Sequence, residues 1–208
     1  MSLQIWIAFV FAASIILIMP GPTIILVISQ ATSHGRKSVI PLVAGVLLGD
    51  FLAMALSLLG LGSLMIASSE LFAAFKWIAA AYLIFIGIKQ WLAKPEISQL
   101  SEAYKEKSAL SLFRSSFLVT ALNPKSIAFF VVFFPQFVKP SHSAFIQFSI
   151  LGATFLSLAF INVTLYAVFA GELREKISSA NTRKVFNRLG GSALIGAGIF
   201  TASMQRSS

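Results

Sequence analysis

The chain has no cysteine in its 208 residues, and only seven carboxylates against sixteen lysines and arginines. Without cysteine, neither disulfides nor thiolate metal sites are available. Charged residues amount to 11%, where a soluble domain carries about a quarter; an ordinary water-facing globule is therefore excluded. The two histidines, His34 and His142, fall in short connections and give no metal-ligand spacing. No nucleophile–base pair, phosphate-binding loop or dinucleotide fingerprint is present, so nothing points to a membrane enzyme or to a cofactor. No polar stretch is long enough to set off a second domain.

What is present is long apolar sequence, 57% hydrophobic with a mean hydropathy of +0.88. A hydrocarbon core about 30 Å thick needs roughly 20 apolar residues of helix. Six segments meet that requirement: Leu3–Ser29, Val39–Ala67, Leu71–Leu92, Phe113–Val138, Ala144–Ala170 and Phe186–Met204. The expectation is an all-α integral membrane protein, one transmembrane domain over residues 1–208, in a lipid bilayer. The first segment lacks a basic leader and is too long for a signal-peptide core, so it reads as retained.

The net charge of +9 does not point to nucleic acid, because the basic residues follow the connections. Arg36 and Lys37 follow the first segment. Lys89, Lys94, Lys105, Lys107 and Arg114 surround the third connection. Arg174, Lys176, Arg183, Lys184 and Arg188 follow the fifth segment. The other side has Lys76, Lys139 and Arg206, and Lys125 lies within a segment. Cytoplasmic loops retain Lys and Arg, so the odd connections are expected inside and both termini outside.

Two proline breaks interrupt these segments. Met19-Pro20-Gly21-Pro22-Thr23 lies in the first and Leu122-Asn123-Pro124-Lys125-Ser126 in the fourth. A helix-interior proline removes one amide and clashes with the carbonyl one turn back. In a bilayer the freed carbonyls need a protein partner or water, since lipid offers none. A lone proline reads as a kink; a matched pair points to a transporter's binding site between two inverted repeats. The repeats would be roughly 1–92 and 113–208, three helices each with helices 1 and 4 broken, joined by the cytoplasmic loop 93–112. Leu83 and Gly87-Ile88 match Leu194 and Gly198-Ile199 in the third and sixth segments. Gly49-Asp50 has a rough counterpart at Gly152-Ala153.

The candidate substrate-binding or coupling residues are Pro20, Gly21, Pro22, Asp50, Asn123, Pro124 and Lys125. Amides freed around Pro20–Pro22 suit an anionic group such as a carboxylate. Lys125 lies deep in its segment, where an ammonium is costly unless paired or hydrated; a stem that snorkels to the interface is the alternative. Asp50 is the only carboxylate inside an apolar segment. It binds an amine or carries a coupling proton on one reading, and on the other it forms a structural pair with Lys125. Thr23, Tyr82 and Asn162, with Tyr166, are second-rank polar groups. Gly45 and Gly49 form a small-xxx-small face, as do the glycines of segment six; such faces pack helices within a chain or build a homo-oligomer.

These motifs resemble the LysE/RhtB family of amino-acid exporters. Pro20-Gly21-Pro22, Gly35-Arg36 and Gly45-x3-Gly49-Asp50 resemble the start of its members. Asn123-Pro124-Lys125-x3-Phe129 with Phe134-Pro135-Gln136-Phe137-Val138 is very similar to their fourth segment. Tyr82-Leu83-x3-Gly87 and Gly191-x2-Leu194-Ile195 resemble the third and sixth. The chain departs at Ser38-Val39, where many members carry glycine. The resemblance implies a multi-pass secondary transporter of a bacterial inner membrane, not an enzyme. It would export an amino acid or close derivative on the proton gradient, with the seven candidate residues at the family's characteristic positions. Family cargoes include basic amino acids, threonine and homoserine, leucine and cysteine-pathway compounds. The alternatives are efflux of another small solute or cation, against which the single intramembrane carboxylate counts, or a lipid-handling or assembly subunit.

Overall fold

The computed structural model describes residues 1–67, 69–93, 107–139, 142–173 and 179–203. Of the basic residues that orient the chain, Lys94, Lys105, Arg174, Lys176 and Arg206 lie outside them, as does the end of the sixth expected segment at Met204. The described residues contain helices and no strand. The helices are α1 (Leu3–Ile18), α2 (Pro22–His34), α3 (Val39–Ala67) and α4 (Ser69–Leu92), then α5 (Ala109–Ala121), α6 (Pro124–Ala128), α7 (Ala144–Val168) and α8 (Ala180–Ser203).

The first expected segment is two helices, α1 and α2, separated at Met19–Gly21 where Pro20 and Pro22 supply no amides. The fourth is α5 and α6, separated at Leu122–Asn123 and continued by a π turn over Phe129–Phe133 and a 3-10 turn over Phe134–Phe137. The two parts of this second broken helix meet at 42°. α3 spans the residues expected from the sequence, and α4, α7 and α8 differ only at their ends.

Among the described residues, two stretches can cross a membrane by length and composition, Pro22–Gly60 and Ala144–Val168, and the bent pair Ala109–Ala121 with Pro124–Phe137 makes a third if it is one span. Pro22–Gly60 is not one straight rod. At about 1.5 Å per residue it would be roughly 58 Å long. Instead Gly35 takes φ +67°, the 3-10 turn Gly35–Ser38 follows, and Ile24 and Val27 share a buried cluster with Val43 and Val46. The chain turns back at Gly35 because glycine adopts positive φ without strain. Ser38, at the departure from the usual glycine, closes the turn by donating its hydroxyl to the Gly35 carbonyl at 2.6 Å.

Glycines set the closest helix contacts. A β-carbon on Gly49 would come 2.8 Å from the Phe117 carbonyl oxygen, and Gly45 faces Ser116 and Phe113. The Gly45/Gly49 face is therefore spent within the chain, seating α3 against α5. α4 lies along α8 in the same way. A β-carbon on Gly87 would meet the Gly191 carbonyl at 2.8 Å, and one on Gly198 the Ala80 carbonyl at 2.8 Å.

These contacts fix helix directions. Gly45 meets Phe113 and Ser116 while Gly49 meets Phe117 and Thr120, so α3 and α5 run parallel. Trp6 bonds Thr154 and Ile18 bonds Tyr166, so α1 and α7 run parallel. Gly87 meets Ile195 and Gly198 meets Ile84, so α4 and α8 run antiparallel. A phenylalanine cluster of Phe9, Phe129, Phe130, Phe134 and Phe155, each at most 1% exposed, packs α1 and α7 against the second broken helix.

Candidate functional site at the two helix breaks

Each proline at the first break orphans the carbonyl four residues earlier. For Pro20 that is Ile16, and for Pro22 it is Ile18. Neither is left bare. Lys125 Nζ, from the second break, donates to the Ile16 carbonyl and to the Met19 carbonyl, both at 2.7 Å. Tyr166 Oη, on α7, donates to the Ile18 carbonyl at 2.6 Å. The second break serves itself: Asn123 N donates to Thr120 O, the carbonyl orphaned by Pro124, at 3.0 Å. Asn123 Oδ1 then caps α6 by accepting from Lys125 N at 3.0 Å.

A second set of bonds ties the breaks together. Thr23 Oγ1, in the first turn of α2, accepts from Asn123 Nδ2 at 3.1 Å and from Thr120 Oγ1 at 3.3 Å. All three residues are buried, at 7%, 4% and 1% exposure. The two interruptions, about a hundred residues apart in sequence, thus form one hydrogen-bonded unit.

Asp50 lies beside this unit, 3% exposed, with Lys125 and Ser126 as its polar neighbours. Its Oδ1 is buried and has no hydrogen-bond partner. The ammonium of Lys125 is committed to the carbonyls of the first break, so the pair read from sequence as a structural tie is not the bond Lys125 makes. A buried carboxyl oxygen without a donor is costly. Asp50 is among the residues that line a cavity of about 30 Å³, with Gly21, Thr23, Asn123, Lys125 and Asn162. That is space for about one water.

A second cavity, of about 150 Å³, opens on the other side of Lys125. It lies between α1, α4, α8 and the second broken helix, with walls from Ile15, Met19, Gln90, Phe133 and Gly190.

The structure therefore gathers Gly21, Asp50, Asn123 and Lys125 around one space, with Pro20, Pro22 and Pro124 shaping its backbone. Of the second-rank residues, Thr23 and Asn162 join it. Tyr82 is exposed on α4 and lines neither cavity. Thr120, Ser126 and Gln90 were not singled out from sequence. Thr120 carried a usable signal, standing four residues before Pro124 where a carbonyl must be freed. Gln90 carried none, because its place depends on how α4 meets α8.

Apolar helices broken at prolines, with the freed groups served from across the molecule, are a feature of membrane transporters. Comparison with known proteins agrees. The LysE type translocator family profile matches residues 14–205, and the chain belongs to that family. An uncharacterized membrane protein of Vibrio cholerae is 32% identical over 203 residues, covering 98% of both chains. A homoserine/homoserine lactone efflux protein of Salmonella typhimurium is also 32% identical over 203 residues, again covering 98% of both. No solved structure gives a significant match.

Proposed function

We propose that this translocator exports a zwitterionic amino acid, or a close derivative, from the bacterial cytoplasm across the inner membrane in exchange for protons. The observation that carries the reading is the buried Asp50 Oδ1, left without a partner on a residue that lines a cavity walled by both helix breaks. That oxygen calls for a donor, and a substrate ammonium or a proton supplies one. The substrate carboxylate would lie at Lys125, whose ammonium has three donors and gives two to Ile16 and Met19. The name of the Salmonella relative, efflux of homoserine and its lactone, fits a small cargo bearing an amine.

The six-segment plan of two inverted repeats, with both termini periplasmic, belongs to the same proposal. Support comes from the helix directions: α3 with α5 and α1 with α7 run parallel, α4 with α8 antiparallel, as six alternating passes require. It comes also from paired contacts. Gly87 meets Ile195 where Gly198 meets Ile84, and the sequence repeat equates Gly87 with Gly198. Transport would follow from rocking one half against the other about the two breaks.

The test is amino-acid efflux from preloaded cells or proteoliposomes, with and without the protein. Faster loss of an amino acid down an inward proton gradient is expected. Asp50→Asn keeps the shape but cannot carry a proton; it should abolish the dependence on external pH. A variant that retains the full pH dependence removes Asp50 from coupling, and a wild type that moves no amino acid ends the exporter reading.

A further inference from the structure

The 150 Å³ cavity on the far side of Lys125 is not needed to explain the breaks. Its volume is below that of a whole-ligand pocket, which runs to roughly 300 Å³ or more, so by itself it is a subsite. We infer that it receives the side chain of the transported amino acid, and that Gln90 and Gly190 set which side chains are accepted. This rests on the exporter reading. The carboxylate would lie at Lys125, which lines both spaces, with the ammonium in the one-water space toward Asp50. A ligand held there has its side chain aimed into the one or the other. The 30 Å³ space on the Asp50 side has no room for a side chain; the other side does.

The walls select by chemistry. The described lining is mostly apolar, with Ile15, Ile16, Met19, Phe133 and Leu194, and includes no carboxylate. Its one charged member is the Lys125 ammonium. A cationic side chain would enter against a like charge with nothing to neutralise it, at a cost set by the low local dielectric. The class accepted is therefore short and uncharged. Gln90 adds one amide that can both donate and accept, suited to a side-chain hydroxyl or carbonyl.

Gly190 makes the space. A β-carbon there would run into the Gln90 Nε2 atom and come 2.9 Å from Met19 Sδ. Any larger residue pushes the amide and the thioether into the cavity. The same glycine therefore places Gln90 and keeps the pocket open.

The experiment is competitive efflux in proteoliposomes loaded with an equal mixture of alanine, serine, homoserine, norvaline and lysine. Wild type should export homoserine ahead of norvaline and exclude lysine. Gln90→Leu should remove the preference for the hydroxyl, a change of about tenfold in the homoserine-to-norvaline ratio. Gln90→Glu should admit lysine by supplying the missing negative charge. Gly190→Val should cut homoserine and norvaline efflux more than alanine. Thermal unfolding of each purified variant in detergent, compared with wild type, shows whether it folds. If wild type moves none of the five, the exporter reading fails. If wild type exports and the variants change every cargo in equal proportion, or not at all, the exporter reading stands and the subsite does not.

Discussion

Thr23→Val tests how the two breaks are joined. The substitution keeps the shape of the side chain and removes one hydroxyl. That oxygen accepts from Asn123 Nδ2 at 3.1 Å and Thr120 Oγ1 at 3.3 Å, and both donors are almost wholly buried. The Thr120 hydroxyl can swing to another acceptor, since a rotor has that freedom. The Asn123 amide cannot, because its Oδ1 is fixed by the α6 cap. One buried N–H is therefore stranded, at about 1–3 kcal/mol. For a chain of this length each kcal/mol lowers Tm by roughly 2–4 °C, so the expected loss is about 2–12 °C. Thermal unfolding of the purified protein in detergent reads it. A cycle with Thr120→Val separates the interaction from changes in shape. Residues sharing one hydrogen-bond network couple by about 0.5–3 kcal/mol. Strict additivity of the two variants would refute the idea that one hydroxyl ties the breaks together.

Lys125→Met should lower both stability and efflux, because it strands the Ile16 and Met19 carbonyls in the first break; Lys125→Arg should recover part of the stability, and equal thermal stability of the Met variant and wild type would contradict the capping role. Gly49→Leu should cost about 1–3 kcal/mol by overpacking, since its β-carbon would face the Phe117 backbone rather than a side chain that can move. A melting curve that leaves Tm unchanged would contradict the close α3–α5 approach.

Most of the helices were legible from the sequence because a bilayer demands runs of apolar residues of fixed length. The breaks were legible because proline removes a specific hydrogen bond wherever it stands. What those breaks require was legible only in part. The sequence says that the carbonyls of Ile16 and Ile18 lose their amides, but not that Lys125 and Tyr166 replace them. Lys125 announced itself by its depth. Tyr166 did not, since a tyrosine in an apolar helix serves many partners. The purpose of Gly45 and Gly49 was open between helix packing and self-association until α5 was seen against them. The pocket at Gln90 was not legible at all, because periodicity does not say which faces of α4 and α8 meet.

The central claim is that the two breaks meet and that their relative movement carries transport. Because the native chain has no cysteine, a double replacement of Thr23 and Thr120 by cysteine is free of competing thiols. The hydroxyls they replace lie 3.3 Å apart. Oxidation in native membranes should form an intramolecular disulfide that stops efflux, and reduction should restore it. Failure to cross-link in the folded protein, or efflux at full rate while the disulfide is closed, would contradict the account.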